Sequence, residues 1–326
     1  MSSISPAPDP QASNSQTLIS HAQILTAART IAPYVRRTPV IALESRGSGF
    51  NAEIFLKLES LQHAGSFKPR GAFNCILSSK VPAAGVIAAS GGNHGAAVAY
   101  AAQQLGHKAE IFVPTISSPN KINRLRQYGA AATITGRDYF EALAASRGRA
   151  AITGALAVHA YDDPYVLAGQ GTLGMEFEQQ VSDLDSVLIA VGGGGLIGGV
   201  ASWFRDRVRV IGVEPERAPS LRKSLDAHHV VEVETSGVAA DSLGARRVGE
   251  LMFPIAQKYV PSVVLVSDDH IIEAQRTLWQ KLRVIAEPGG ATALAALLSG
   301  AYQPKAGERV GVVICGGNAE LSSFPV

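Results

Sequence analysis

Four consecutive glycines in the second half of the chain restrict its fold more than any other stretch of sequence. Residues 192–195 follow an apolar run at 187–191, which is typical of a buried strand, and they precede a helix expected to end at Phe204. At such a turn the backbone N–H groups can point at one anion, and the helix dipole adds a favourable potential. The turn is therefore predicted to bind a phosphate group. Tight packing of the helix on the strand is the alternative explanation.

The same glycine-rich segment also matches a dinucleotide-binding pattern. Residues 193–198 fit G-x-G-x-x-G, and Glu214 follows about twenty residues later, at the end of the next predicted strand. An acidic residue at this place binds the ribose of a nicotinamide cofactor. A nicotinamide-dependent dehydrogenase is therefore a second hypothesis at this point.

Short apolar strands alternate with helices along most of the chain, which predicts an α/β fold with two parallel sheets. The predicted strands lie at 54–58, 86–89, 109–113, 132–134, 156–159, 187–191, 208–213, 263–266 and 310–314. One helix is expected at 20–35, and another, interrupted at 169–171, is expected at 166–180.

Composition excludes several classes of function. The chain of 326 residues is 46% hydrophobic, enough for a large core, and its net charge of +2 is too small to indicate a nucleic-acid partner. Its two cysteines, Cys75 and Cys315, exclude a disulfide framework and favour the reducing cytoplasm. No apolar run reaches the length of a membrane span. Residues 1–17 are predicted to be a disordered tail rather than a signal peptide.

Lys68 lies where a predicted loop meets a helix expected at 72–77. The positive end of the helix dipole disfavours the ammonium form and is expected to lower the pKa of this lysine. A lysine with a lowered pKa can attack a carbonyl group and hold it as a Schiff base. A surface lysine is the ordinary alternative, so the prediction depends on the neighbouring motifs.

A second glycine turn, at 90–95, has the sequence Ser-Gly-Gly-Asn-His-Gly and also follows a predicted strand. Its N–H groups and side chains suit a carboxylate, although an ordinary capped turn would look similar. Cys315 ends the last predicted strand, where a buried hydrophobe is the alternative. Because ligands bind beyond the carboxyl ends of parallel strands, Lys68, Ser90, Gly192 and Cys315 are predicted to face one site.

Taken in order, these motifs resemble the serine/threonine dehydratases, a family of pyridoxal-phosphate enzymes that also includes serine racemase. The similarity runs from about 21 to 323, and its landmarks are 54–59, 66–68, 70–72, 90–95, 168–172, 192–195, 287–288 and 315–318. The resemblance accounts for Lys68 and Asn93, which the dehydrogenase hypothesis leaves unexplained. It implies the type II fold of these enzymes, with the cofactor in a cleft between two three-layer domains. The large domain would comprise 18–84 and 161–326, and the small domain 85–160.

The resemblance also implies roles for individual residues. Lys68 would hold pyridoxal phosphate covalently and would remove the α-proton of the substrate. Phe67 and Asn93 would contact the cofactor ring, Cys315 would face its pyridine nitrogen, and Glu287 would lie beside the cofactor. The phosphate would be bound by Gly192, Gly193, Gly194 and Gly195. The substrate would be bound by Ser90, Gly91, Gly92, Asn93, His94 and Ser242.

The implied reaction is an α,β-elimination that converts L-threonine, L-serine or a related β-hydroxy amino acid to a 2-oxo acid and ammonia. The thiol of Cys315 cannot keep the pyridine nitrogen protonated as an aspartate would, which favours elimination over racemisation. Racemases of this group carry a serine where this chain has Gly91, so little racemisation is expected. Serine racemase, a β-replacement synthase and the nicotinamide-dependent dehydrogenase are the alternatives.

Some relatives bind a divalent cation, Mg²⁺ or Ca²⁺, through a glutamate, a backbone carbonyl and an aspartate. Glu214 and Ala218 occupy the first two positions in this chain, but Ser220 replaces the aspartate. A cation site at these three residues is a further hypothesis. By resemblance, the enzyme is expected to be a cytoplasmic homodimer that acts on a small amino acid, with neither a nucleic acid nor a membrane as a partner.

Overall fold

The computed structural model describes residues 18–43, 51–320, 322, 324 and 325, so the tail predicted at 1–17 lies outside the described residues. The strands of the described residues are β1 (Val40–Leu43), β2 (Glu53–Leu58), β3 (Val86–Ala89), β4 (Ala109–Val113), β5 (Ala131–Ile134), β6 (Leu156–Ala157), β7 (Ser186–Ala190), β8 (Arg209–Pro215), β9 (Ser262–Val266) and β10 (Arg309–Ile314). The α-helices are α1 (His21–Ile31), α2 (Pro69–Leu77), α3 (Asn93–Gln104), α4 (Pro119–Gln127), α5 (Tyr139–Thr153), α6 (Pro164–Gln180), α7 (Gly195–Phe204), α8 (Ser220–Ala227), α9 (Ala240–Leu243), α10 (Phe253–Tyr259), α11 (Asp268–Leu282) and α12 (Pro288–Leu298).

The larger sheet has six strands in the order β1-β2-β10-β7-β8-β9. Its neighbours are parallel except for β1, which pairs antiparallel with β2 at one edge. All five residues of β7 are buried, because helices cover both faces of a parallel sheet. The predicted α/β fold is confirmed, whereas the antiparallel edge strand β1 was not predicted from the sequence.

The smaller sheet is parallel throughout and has the order β5-β4-β3-β6. Its strands come from a continuous part of the chain, 86–157, and α3 and α5 pack against its central strands. Separate clusters of buried residues lie beneath the two sheets. The domain boundaries at 85 and 160 stay a prediction.

The structure corrects two predicted helices. The first ends at Ile31, before Pro33, and not at Val35. The interruption predicted at 169–171 is wrong, because α6 is continuous through these residues. A Cβ atom at Gly169 would lie 2.5 Å from the backbone oxygen of Arg70, so the small residue allows α2 to approach α6 closely.

The strand order brings the candidate residues to one edge of the larger sheet. Strands β2, β10 and β7 are adjacent and parallel, so their carboxyl ends lie side by side. These ends lead to the loop before Lys68, to Cys315 and to the glycine turn at 192–195. This is the edge at which parallel sheets bind ligands. Within the described residues, none of the helices is both long enough and apolar enough to cross a bilayer.

Candidate active site

Lys68 is the residue immediately before α2, as the sequence predicted. Its Nζ atom donates a hydrogen bond of 2.8 Å to the backbone oxygen of Ala160, and the ammonium has no carboxylate partner among the described residues. Burial lowers the pKa of Lys68 to about 8, and the carboxylate of Glu287 opposes this shift. The predicted direction is therefore confirmed, but burial rather than the helix end is the main cause.

The loop that carries Lys68 is attached to the end of β10. The Phe67 amide donates to the backbone oxygen of Cys315 at 3.1 Å, and Ser66 forms an isolated bridge with Gly316. The Lys68 ammonium lies 5.1 Å from the centre of the Phe67 ring. These contacts hold the lysine and the Cys315 segment next to each other.

A buried cluster of charges supports this loop, and the sequence analysis assigned it no role. Arg70 donates to both oxygens of Glu59 at 2.8 Å and to Glu176 at 3.1 Å, and Lys57 forms an ion pair with Glu176. Thr38 donates to Glu59 at 2.5 Å. Lys57 and Glu59 lie on either side of Leu58, at the end of the otherwise apolar run of β2. Charged residues in such a run must be paired if they are buried, so they are the signal in the sequence for a buried charge cluster.

The glycine turn at 192–195 has the geometry of an anion site. The amide groups of Gly192, Gly193 and Gly194 have no hydrogen-bond acceptor within the described part of the chain. Gly194 adopts a left-handed conformation with φ of 87° just before α7 begins. A Cβ atom at Gly193 would collide with the ring of Tyr161, so any larger residue would displace that ring. Free N–H groups at the start of a helix favour a phosphate.

The second glycine turn leaves donors free as well. The Gly92 amide donates to Ser90 Oγ at 3.1 Å, whereas the amides of Gly91 and Asn93 have no acceptor among the residues described. Asn93 is the first residue of α3, so its amide belongs to the positive end of that helix. The turn can therefore accept a carboxylate at Gly91 and Asn93.

The orientation of the Asn93 side chain is fixed from both sides. Its amide nitrogen donates to Glu287 Oε1 at 2.5 Å, and its oxygen accepts a hydrogen bond of 2.7 Å from Asn318. Asn318 also donates to the backbone oxygen of Ala64 at 2.8 Å. Burial raises the pKa of Glu287 to about 7, and its hydrogen bond from Asn93 opposes the shift. One N–H of the Asn93 amide stays available for a ligand.

Two of the predicted site residues, His94 and Cys315, are buried and neutral. Burial lowers the pKa of His94 to about 3, and its Nε2 atom lies 2.9 Å from the backbone oxygen of Val158. The neutral ring therefore donates to that carbonyl. Burial also raises the pKa of the Cys315 thiol, which donates to the backbone oxygen of Gly289 at 3.4 Å.

A cavity of about 420 Å³ opens next to these groups. Of the residues predicted from the sequence, it brings together Gly91, Gly92, Asn93, Ser242 and Glu287. Ser90, His94, Lys68 and the turn at 192–195 do not line it. Lys121 and Arg124 of α4 form a cationic wall of the cavity, which was not predicted from the sequence.

The residues predicted to bind a cation lie elsewhere, at the end of β8. Glu214 accepts hydrogen bonds from the amides of Leu221 and Arg222 at 2.7 and 2.8 Å, and Ser220 Oγ lies 3.3 Å from it. Burial raises the pKa of Glu214 to about 7. The start of α8 thus engages both carboxylate oxygens. Among the described residues no group of three or more His, Cys, Asp or Glu side chains could hold a metal, and the site at Glu214, Ala218 and Ser220 stays a prediction.

The groups at this edge fit pyridoxal phosphate. An aldehyde reacts with an uncharged amine, and the lowered pKa of Lys68 makes an appreciable fraction of this amine uncharged. A phosphate needs several N–H donors without other acceptors, which 192–194 provide. The fold and these groups together define an α/β enzyme that holds a phosphorylated carbonyl compound on a lysine.

The comparison with known proteins agrees with this class. Residues 31–316 match the family described as pyridoxal-phosphate dependent enzyme, and the chain belongs to that family. The resemblance found in the sequence is thereby confirmed, and with it the type II fold and the cofactor, pyridoxal phosphate.

Three similar proteins illustrate the range of the family. The L-threonine ammonia-lyase of Geobacter sulfurreducens is 39% identical over 297 residues, which cover 90% of this chain and 74% of that protein. The L-threo-3-hydroxyaspartate ammonia-lyase of a Pseudomonas species is 33% identical, with coverage of 94% and 98%. The structure of maize serine racemase superposes with a TM-score of 0.90 at 32% identity and covers 94% of this chain and 96% of the racemase.

Proposed function

We propose that this enzyme is an ammonia-lyase that converts L-threonine, L-serine or a related β-hydroxy amino acid to a 2-oxo acid and ammonia. The main support is Lys68, a partly buried lysine that has no carboxylate partner among the described residues. It lies at the same edge of the sheet as the amides of 192–194, which have no acceptor there and suit a phosphate. The name of the L-threonine ammonia-lyase relative supports the same reaction type.

Lys68 is the residue that holds the cofactor and then serves as the base. Pyridoxal phosphate supplies the electron sink that makes the Cα–H bond of an amino acid acidic. The Nζ atom of Lys68 accepts that proton, since a pKa of about 8 leaves an appreciable fraction of the amine uncharged near neutral pH. The hydrogen bond to the Ala160 carbonyl holds Nζ while the side chain stays beside Phe67.

The remaining cofactor contacts follow from donors and acceptors around Lys68. The amides of Gly192, Gly193, Gly194 and Gly195 would bind the phosphate. Phe67 would pack against the ring, and the free N–H of Asn93 would donate to the ring oxygen, since Glu287 accepts from the other N–H. Cys315 would face the ring nitrogen as a neutral thiol, because burial raises the pKa of the thiol. A neutral partner does not protonate that nitrogen, which favours elimination.

The substrate carboxylate binds at the start of α3. The free amides of Gly91 and Asn93 donate to it, and Ser90 fixes the turn by accepting from Gly92. His94 stabilises the turn through its hydrogen bond to the backbone oxygen of Val158. Ser242 lines the same cavity and would contact the substrate there.

The racemase alternative depends on the position of Gly91. A Cβ atom at Gly91 would collide with Ser117 Oγ, so the serine that the resemblance associates with racemases would require this hydroxyl to move. The variant Gly91→Ser, combined with Ser117→Ala to make room, is the matched test of that difference. We expect racemisation of L-serine to rise in the double variant and to be low in the natural sequence.

The decisive experiment measures ammonia and 2-oxo acid from L-threonine and L-serine in the purified enzyme with pyridoxal phosphate. Equal amounts of both products without an added nucleophile support a lyase. Mainly D-serine would identify a racemase, and product formation only with an added nucleophile would identify a β-replacement synthase. Dependence on a nicotinamide cofactor would contradict the proposal outright.

We also propose that the enzyme is a cytoplasmic homodimer with a large domain, 18–84 and 161–326, and a small domain, 85–160. The free cysteines Cys75 and Cys315 are compatible with a reducing compartment. The strands of the smaller sheet all fall inside 85–160, which supports the division. Light scattering of the purified protein measures the oligomer, and a mass of one chain would contradict the dimer.

A further inference from the structure

Most of the residues that line the cavity beside Asn93 are polar or charged. Of the described residues that line it, apart from glycines, only Ala96 and Ala319 contribute apolar side chains. The rest of its wall is polar or charged and includes Lys121, Arg124 and Ser242. An anionic substituent of the substrate would find two cations in this wall, Lys121 and Arg124.

The two cations of the wall differ in their partners. Lys121 forms an ion pair of 2.5 Å with Asp241, whose side chain is 67% exposed. Arg124 lies one turn further along the same face of α4, and its guanidinium has neither an ion pair nor a hydrogen bond to any residue that the structure describes. It is also half-buried. A partly buried guanidinium without an acceptor is a ready site for a carboxylate.

The acidic residues that line the cavity contact groups other than the Arg124 guanidinium. Asp241 is engaged by Lys121, and Glu287 accepts from Asn93. Glu320 is exposed and accepts from Ser118. Arg124 lines the same cavity as Gly91 and Asn93, which puts it on the cavity that also contains the turn proposed to bind the substrate carboxylate.

We propose that Arg124 binds a second carboxylate on the substrate, so that the enzyme prefers a β-hydroxy amino dicarboxylic acid, of which 3-hydroxyaspartate is the simplest. This inference rests on the proposed lyase function. The α-carboxylate would bind at Gly91 and Asn93, and the distal carboxylate would reach across the cavity to α4. The Pseudomonas relative named for this substrate makes the chemistry plausible within the family.

The reaction balances without an oxidant or reductant. The Cα–H bond and the Cβ–O bond break, and one water leaves. One water is consumed when the nitrogen is released as ammonia. The net products are a four-carbon dicarboxylic 2-oxo acid and ammonia, and Arg124 changes only which substrate is held.

The test compares the natural enzyme with Arg124→Ala, Arg124→Lys and the control Arg126→Ala. Arg126 lies in the same last turn of α4 but is exposed and does not line the cavity. We expect the ratio of kcat/KM for L-threo-3-hydroxyaspartate to kcat/KM for L-serine to fall about tenfold to a hundredfold in Arg124→Ala. The ratio should fall less in Arg124→Lys and stay unchanged in Arg126→Ala.

A binding measurement separates this inference from the lyase function. L-Aspartate and L-asparagine lack the leaving hydroxyl and differ by one charge, so their dissociation constants report the distal site alone. We expect the natural enzyme to bind L-aspartate more tightly, and Arg124→Ala to lose that preference. Equal affinities in the natural enzyme, or an Arg124→Ala ratio equal to that of Arg126→Ala, would overturn the role of Arg124 even if serine is deaminated. Absence of ammonia from every substrate would instead overturn the lyase function.

Discussion

Two lysines eleven residues apart in the same stretch of the chain meet opposite surroundings. Lys57 is fully buried and forms an ion pair with Glu176, and it also donates to Thr38 at 2.8 Å and to Gln180 at 2.6 Å. Lys68 is partly buried and, among the residues described, its ammonium donates only to the carbonyl of Ala160. One ammonium has a complete set of acceptors, and the other has a single neutral one.

The difference shows how a fold can make one lysine structural and another reactive. Burial lowers the pKa of both side chains, and nearby carboxylates oppose that effect at both, Glu59 and Glu176 at Lys57 and Glu287 at Lys68. Only at Lys57 does a carboxylate of the described residues pair directly with the ammonium. The paired lysine is held as a charge inside a cluster that contains two cations and two anions. The unpaired lysine is the one whose neutral form is accessible near pH 8.

The largest expected effect is the loss of Lys68. In Lys68→Ala the amine that holds the cofactor and accepts the α-proton is gone, so kcat should fall by about 10³-fold or more. The visible absorbance of the lysine-bound cofactor should also disappear. Lys80→Ala removes an exposed lysine from the same region and should leave both unchanged. Activity in Lys68→Ala close to that of the natural enzyme would assign the reaction to another base.

The next effect is on stability and falls on the paired lysine. Lys57→Met removes one of the two cations that pair with buried Glu176, and removing one partner of a buried pair costs up to about 3–5 kcal/mol. Urea denaturation of the variant should show this decrease in the free energy of unfolding, while folded protein still binds pyridoxal phosphate. A variant as stable as the natural protein but unable to take up the cofactor would reverse the roles assigned to the two lysines.

The lowered pKa of Lys68 predicts how cofactor uptake depends on pH. The neutral amine reacts with the aldehyde, and its fraction falls about tenfold for each pH unit below the pKa. The uptake rate of the cofactor-free protein should therefore rise with pH and level off above about pH 8. Stopped-flow absorbance between pH 6 and 10 measures this rate. A rise that continues to pH 10 would indicate a lysine with an ordinary pKa.

The smallest effect is the coupling inside the charge cluster. Replacing Lys57 by Met and Glu176 by Leu together removes both charges, and the double variant should be about 1 kcal/mol more stable than the sum of the single effects predicts. The gain is limited because Glu176 also accepts from Arg70. Strict additivity in the denaturation cycle would mean that Lys57 and Glu176 do not stabilise each other.

Much of the fold followed from local sequence patterns. The strands predicted at 86–89 and 109–113 agree with β3 and β4 to the residue, because short apolar runs are bounded there by residues that favour turns. The glycines of α6 misled the prediction, since a glycine that allows close packing looks like one that breaks a helix. The edge strand β1 is only partly buried, so its pattern was weak.

The candidate site was predictable where its chemistry lies in consecutive residues. Lys68, the turn at 90–95 and the turn at 192–195 each form a local motif at a strand end. The contacts that support these motifs join distant parts of the chain. In the buried charge cluster, for example, Lys57 and Glu176 are 119 residues apart. The side chains that hold Asn93 and the cations of α4 have no motif of their own, so only the folded structure brings them to the site.

The most direct test of the difference between the two lysines is chemical labelling. Reduction of the enzyme–cofactor complex with borohydride fixes the cofactor to the lysine that holds it, and mass spectrometry of the digested protein identifies that lysine. The unpaired amine of Lys68 should carry the label in a ratio of one per chain, and Lys57 should carry none. Labelling of Lys57, or an unlabelled Lys68 in a complex that shows the bound-cofactor absorbance, would contradict the account.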